Sequence, residues 1–178
     1  MSFLLIFCKL SLAAMFVCSS VTKLRDMDAL RRHIGTTARL PLLSPRFLAW
    51  STVVAEVVAA LGLVLTERFG FVAAAGVLAG FTAYLVHVLR SGRSISCGCT
   101  GASGADVSGI HLVRNGIALA LCLAGLVVPH VPLQGHLVEY AVMAGPSFIV
   151  GGGLLYLAEL RELLSLGFAD PGVRGQRP

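Results

Sequence analysis

Five long apolar runs separated by short polar stretches set the frame of the sequence. They are Phe3 to Val21, Phe47 to Thr66, Phe69 to Leu89, Ile110 to Val128 and Val138 to about Leu160. Each approaches the ~20 residues an α-helix needs to cross a hydrocarbon core of about 30 Å. Lipid offers no hydrogen bonds to backbone, so runs of this kind read as helices that satisfy their own polar groups. Gly145-Pro146 and Gly151-Gly152-Gly153 loosen the fifth run and permit a kink or close helix packing. The pattern predicts an all-α, polytopic membrane helix bundle: four strong transmembrane helices plus a weaker fifth. The bundle is expected over residues 1–166, with a Gly-, Pro- and Arg-rich disordered tail over 167–178.

The polar stretches refine this picture. No basic residue precedes Phe3 and Lys9 interrupts the first run, so that run reads as a retained span rather than a cleaved signal peptide. In residues 22–46, Leu24, Met27, Leu30 and Ile34 recur at near-helical spacing among Lys23, Arg25, Arg31 and Arg32. This predicts a short amphipathic helix lying on the headgroups, with Pro41 and Pro45 ending any helix before the next span. Glu67-Arg68 makes a very tight connection between spans two and three. Between spans three and four lies a loop rich in Gly and Ser that carries Cys97-Gly98-Cys99.

Composition agrees with a bilayer protein. The chain is 56% hydrophobic and 13% charged, against roughly 25% charged in soluble domains. No basic stripe interleaved with aromatics is present, which excludes nucleic acid as a partner. The net charge of +5 is therefore read through membrane topology. Five spans put residues 22–46, the Cys-Gly-Cys loop and the tail on one side. That side holds twelve of the fourteen Lys and Arg residues, counting Lys23 and Arg114, while Arg68 stands alone opposite and Lys9 lies inside span one. The positive-inside rule then places the cysteine loop in the cytoplasm and the N-terminus outside.

Candidate chemistry centres on Cys97 and Cys99. Cysteines two apart can close a small, strained ring, and strained disulfides have more oxidising potentials and tend to be catalytic or regulatory. A soft-metal site built from the two thiolates with His87 or His111 is a second reading. Two small residues in a glycine-rich turn is the third. Nearby cations raise the thiolate fraction, and Arg90, Arg93 and Arg114 are candidates, although arginines also anchor helix ends at the interface. Cys8, Cys18 and Cys122 lie inside spans, where cysteine packs as a small apolar residue. Cys18 is the exception of interest. It is placed about one turn inside the end of span one, on the side of Cys97, where it could resolve a mixed disulfide. Glu56 sits near the middle of span two. An intramembrane carboxyl is costly and faces the bundle interior with a partner. The expected partner is Lys9 or a histidine, and the expected role is either proton transfer during redox chemistry or a structural hydrogen bond.

These residues resemble the MauE family, the methylamine utilisation membrane proteins grouped with DoxX-like redox-associated proteins. The resemblance rests on Lys23-Leu24-Arg25-Asp26 at the end of the first span, on Glu56, on the loop Arg93 to Gly101 with Cys97-Gly98-Cys99, and on Arg114-Asn115 opening span four. It covers roughly residues 3–160, and departs from the family pattern at Ser96 and Thr100, where an acidic residue and an aromatic are expected. It implies a multi-pass protein of the bacterial cytoplasmic membrane, without a cofactor, that supports maturation of the methylamine dehydrogenase small subunit. It further implies that Cys97 and Cys99 are a redox pair working with a thioredoxin-like partner. A more distant likeness to vitamin K epoxide reductase bundles implies electron exchange with a quinone, though no quinone site is legible in the sequence. The alternatives are a membrane scaffold that recruits such a partner without chemistry of its own, and a soft-metal binding or transport protein. Maturation of a secreted, disulfide-rich subunit would favour thiols outside, against the charge bias.

Overall fold

The computed structural model describes residues 2–37, 44–66, 68–90, 109–128 and 137–168. Every regular element among them is an α-helix: α1 (Ser2–Arg25), α2 (Met27–Thr37), α3 (Pro45–Leu65), α4 (Arg68–Arg90), α5 (Gly109–Val127) and α6 (Leu137–Phe168). All but α2 are long and apolar enough to span a membrane. The protein is a polytopic membrane helix bundle, as the hydropathy pattern predicts. Its outer surface agrees: Leu65, Phe69, Val127, Val138 and Ile149 all stand well exposed, which suits contact with lipid tails.

α1 is the central helix. In its spanning window 61% of residues are buried, against 22–33% in the other four spans. It packs against α3, α5 and α6, while α4 closes the bundle between α3 and α5. The apolar core runs along α1 through Cys8, Leu12 and Phe16 and meets Leu63, Phe71, Leu78 and Cys122. The closest approach is to α6. A Cβ at Gly151 would collide with the Ser11 carbonyl, so only glycine lets the two backbones meet there. α5 and α6, by contrast, touch sparsely.

Local chemistry sets the helix ends. Asp26 breaks the chain after α1 and its Oδ1 accepts from the Ala29 N–H at 3.1 Å, an N-cap for α2. Leu30 of α2 packs on Ala49 and Val53, flanked by Met27 and Ile34, so the amphipathic stretch docks on the first turns of α3. Pro45 does not merely stop a helix. It opens α3 at the first helical position behind the N-cap Ser44, whose side chain accepts from the Phe47 N–H, the place where proline's missing N–H costs nothing. At the other end Thr66 Oγ1 donates to the Gly62 carbonyl at 2.6 Å and accepts from the Gly70 N–H at 3.0 Å. One hydroxyl thus satisfies orphan groups of both α3 and α4 and fixes their turn. α6 continues as helix through Pro146, and its spanning segment, Val138–Leu157, is the least apolar and least buried of the five, the weaker fifth span that the sequence predicts.

Candidate functional site

The bundle buries an ionic cluster between α1 and α3. Glu56 lies midway along α3, about 16 Å from its start at 1.5 Å per residue, and is 2% exposed. Its carboxylate forms an ion pair with Lys23, itself 3% exposed. Ser19 Oγ donates to Glu56 Oε1 at 2.9 Å and Ser20 Oγ to Oε2 at 3.4 Å. Lys23 Nζ also donates to Ser19 Oγ at 3.1 Å and sits 4.8 Å from the centre of the Phe81 ring, within cation–π range. Both carboxylate oxygens are therefore served by donors and the ammonium by acceptors. That full satisfaction is what a charge pair removed from water requires.

The identity of the partner corrects the sequence expectation. Glu56 pairs with Lys23, not with Lys9 or a histidine. Lys23 is not on the headgroups, because α1 extends to Arg25 and carries it into the bundle. A sequence signal for this existed: Ser19 and Lys23 are four apart, hence on one helix face, continuing the buried row of Leu12 and Phe16. The same extension places Cys18 seven residues from the end of α1 rather than one turn. Its thiol is half-buried and free.

A second polar cluster lies across the bundle. Arg114 and Asn115, in the second turn of α5, are 7% and 2% exposed. Arg114 Nε and Nη2 donate to Asn115 Oδ1, each at 3.4 Å, and Nη1 donates to the Leu155 carbonyl of α6 at 3.5 Å. Asn115 Nδ2 donates to Thr82 Oγ1 of α4 at 3.4 Å. These contacts are longer than the 2.7–3.2 Å usual for N–H···O bonds. Arg114 thus turns into the bundle. Between the clusters is a small cavity of about 20 Å³ lined by all five spanning helices, with Ser19, Lys23, Glu56, Arg114 and Asn115 among its polar groups. It has room for about one water molecule.

Cys97, Cys99 and Arg93 lie outside the described residues, and with them the disulfide and metal readings of the loop. His87, in the last turn of α4, is exposed, whereas His111 is buried in the first turn of α5. The ends of α1 and α4 and the start of α5 share one side of the bundle by crossing order. Lys23 near the end of α1 and Arg114 near the start of α5 therefore lie toward that side, with Glu56 at mid-span.

Fold and site together define a multi-pass α-helical membrane protein with a buried, charge-bearing polar centre. The family profile described as methylamine utilisation protein MauE matches residues 1–128, which carry α1 to α5. The chain belongs to the MauE family. A curated relative, the methylamine utilization protein MauE of Paracoccus denitrificans, is 35% identical over 120 residues, covering 65% of this chain and 64% of that protein. The match thus spans just under two thirds of the relative's length. No solved structure matches the chain.

Proposed function

We propose that the protein acts in the bacterial cytoplasmic membrane as a thiol–disulfide component of the methylamine dehydrogenase system, supporting maturation of that enzyme's small subunit. The observation that carries this reading is the family match over residues 1–128, which includes Cys97-Gly98-Cys99. The thiolate of one loop cysteine attacks a disulfide sulfur of a thioredoxin-like partner and releases one partner thiolate. The neighbouring cysteine resolves the mixed disulfide. The loop pair ends oxidised and the partner reduced by two electrons, and the reverse exchange runs the other way. Arg93 favours the thiolate. Glu56 and Lys23 hold a proton-exchanging pair, and Arg114 and Asn115 support it from α5. Cys18 is a further thiol on that half of α1.

The charge bias supports a cytoplasmic loop that donates or relays reducing equivalents. Lys23 and Arg114 leave the count because the bundle buries them. The remaining ten basic residues on that side still outweigh Arg68 alone.

Cys97→Ala and Cys99→Ala variants test the chemistry in cells. One of them should accumulate a covalent adduct that reductant releases and that contains the partner. Absence of any adduct, together with equal thiol labelling of the wild type after oxidation and after reduction, sinks the redox reading in favour of a scaffold. A membrane-impermeant maleimide, applied to intact cells after reduction, should leave both cysteines unlabelled. Labelling before lysis reverses the orientation.

A further inference from the structure

Two further thiols share a level in the half of the bundle away from the loop. Cys8 lies about 9 Å along α1 from its start, and Cys122 about 8 Å from the end of α5. Crossing order puts those two helix ends on one side of the membrane and makes the helices antiparallel. α1 and α5 pack on each other, and both reach the cavity, through Met15 on one and Asn115 on the other. Cys8 precedes Met15 by seven residues, and Cys122 follows Asn115 by seven. Two turns along each helix therefore carry both cysteines to the same level, on the faces that meet. Both are 0% exposed and belong to one apolar cluster with Leu12 and Ala118. The two thiols lie within electrostatic reach of each other.

We infer that Cys8 and Cys122 are oxidised to a disulfide that staples α1 to α5. The structure holds them as free thiols, the reduced form of the pair. A disulfide needs Cα atoms within about 7 Å, and small residues such as Ala118 at a helix contact let backbones approach that closely. The oxidant is a protein disulfide on the outer face, where disulfides persist. The thiolate of one cysteine attacks it and releases one donor thiolate. The other cysteine attacks the mixed disulfide and releases the second. The pair loses two electrons and two protons, and the donor gains them. Both thiols are sealed in the finished core, so the exchange precedes the closure of α5 on α1. The same burial then shields the bond from reductants. The staple fixes α5 against the central helix two turns from Asn115, and so holds one wall of the cavity in place. The inference rests on the outward N-terminus proposed above and not on the chemistry of the loop.

The test uses the full chain in a bacterial membrane, carrying Cys18→Ala, Cys97→Ala and Cys99→Ala so that only the pair reacts. Cells are quenched in acid, the protein is unfolded in detergent, and a maleimide-linked polymer is added before or after reduction. The chain should take no tag before reduction and two after it. A further Cys8→Ala or Cys122→Ala change should give one tag without reduction. Two tags without reduction overturn the staple. A reductant-sensitive dimer in place of the monomer also overturns it, since the bond then joins two chains. If this variant does not accumulate, mass spectrometry of the non-reduced wild type decides. Peptides joined through Cys8 and Cys122 support the staple, and separate alkylation of both refutes it. Impermeant maleimide on the wild-type loop keeps the orientation distinct. Loop labelling from outside with the pair oxidised supports the staple and overturns only the orientation. An unlabelled loop with both thiols free overturns the staple alone.

Discussion

The two polar clusters that face each other across the cavity are built on opposite principles. Lys23 and Glu56 form a closed unit, with both carboxylate oxygens served and the ammonium shared between Glu56, Ser19 and the Phe81 ring. Arg114 and Asn115 form an open one, held by long contacts to neutral oxygens. Burial is almost equal in the two, so depth does not separate them. What separates them is the geometry of the contacts: an ion pair with close hydroxyl donors on one side, contacts of 3.4–3.5 Å to neutral oxygens on the other. A closed pair fastens helices, here α1 to α3. Long contacts to neutral oxygens hold Arg114 less tightly.

Disrupting the closed unit should have the largest effect. Glu56→Gln leaves Lys23 buried without its counter-charge, and loss of one member of a buried pair costs about 3–5 kcal/mol. Chemical or thermal unfolding of the variant in detergent or nanodiscs measures this, and Lys23→Met should cost a similar amount. The double variant should recover much of the loss, because two neutral side chains leave no stranded charge. Additive losses would mean that the pair is not the unit described. On the open side, Asn115→Ala removes the acceptor of two Arg114 contacts and the donor to Thr82. At these lengths the expected cost is smaller, about 1–2 kcal/mol. A loss there as large as that of Glu56→Gln would erase the contrast between the clusters. Ser20→Ala should be the mildest, at about 0.6 kcal/mol, the average for side-chain hydrogen bonds inside membranes. Its effect should stay below that of Ser19→Ala, since Ser19 contacts both members of the pair.

Hydropathy made the architecture legible. Spans of about twenty apolar residues leave a helix little freedom to be anything else, so the five runs and five spanning helices coincide. The ends were less legible. Pro45 read as a stop, yet it starts α3, because Ser44 stands before it as a cap. The first apolar run ends at Val21, yet α1 extends four residues further, where Lys23 finds a carboxylate on another helix. That partner is 33 residues away in sequence, and no local pattern encodes it. Glu56 was visible by itself, since one carboxyl in an apolar run demands an explanation. Arg114 was visible only as a charge near a helix start, and whether it faced lipid headgroups, the loop or the interior depended on packing. The loop that carries Cys97 and Cys99 remains a matter of sequence and family.

The Gly151 contact bears on how the protein is made. α1 is made before the other four spans and carries buried Lys9, Ser11, Ser19, Ser20 and Lys23, yet one of its main packing surfaces belongs to α6, made after those between them. At about 5–20 residues per second, the ribosome produces α6 roughly ten seconds after α1. For that interval the span with the most buried polar side chains among the described residues stands in the bilayer with one flank open. The nascent chain is then at its most vulnerable to membrane proteases and quality control. Any truncation before Gly151 would make that exposure permanent.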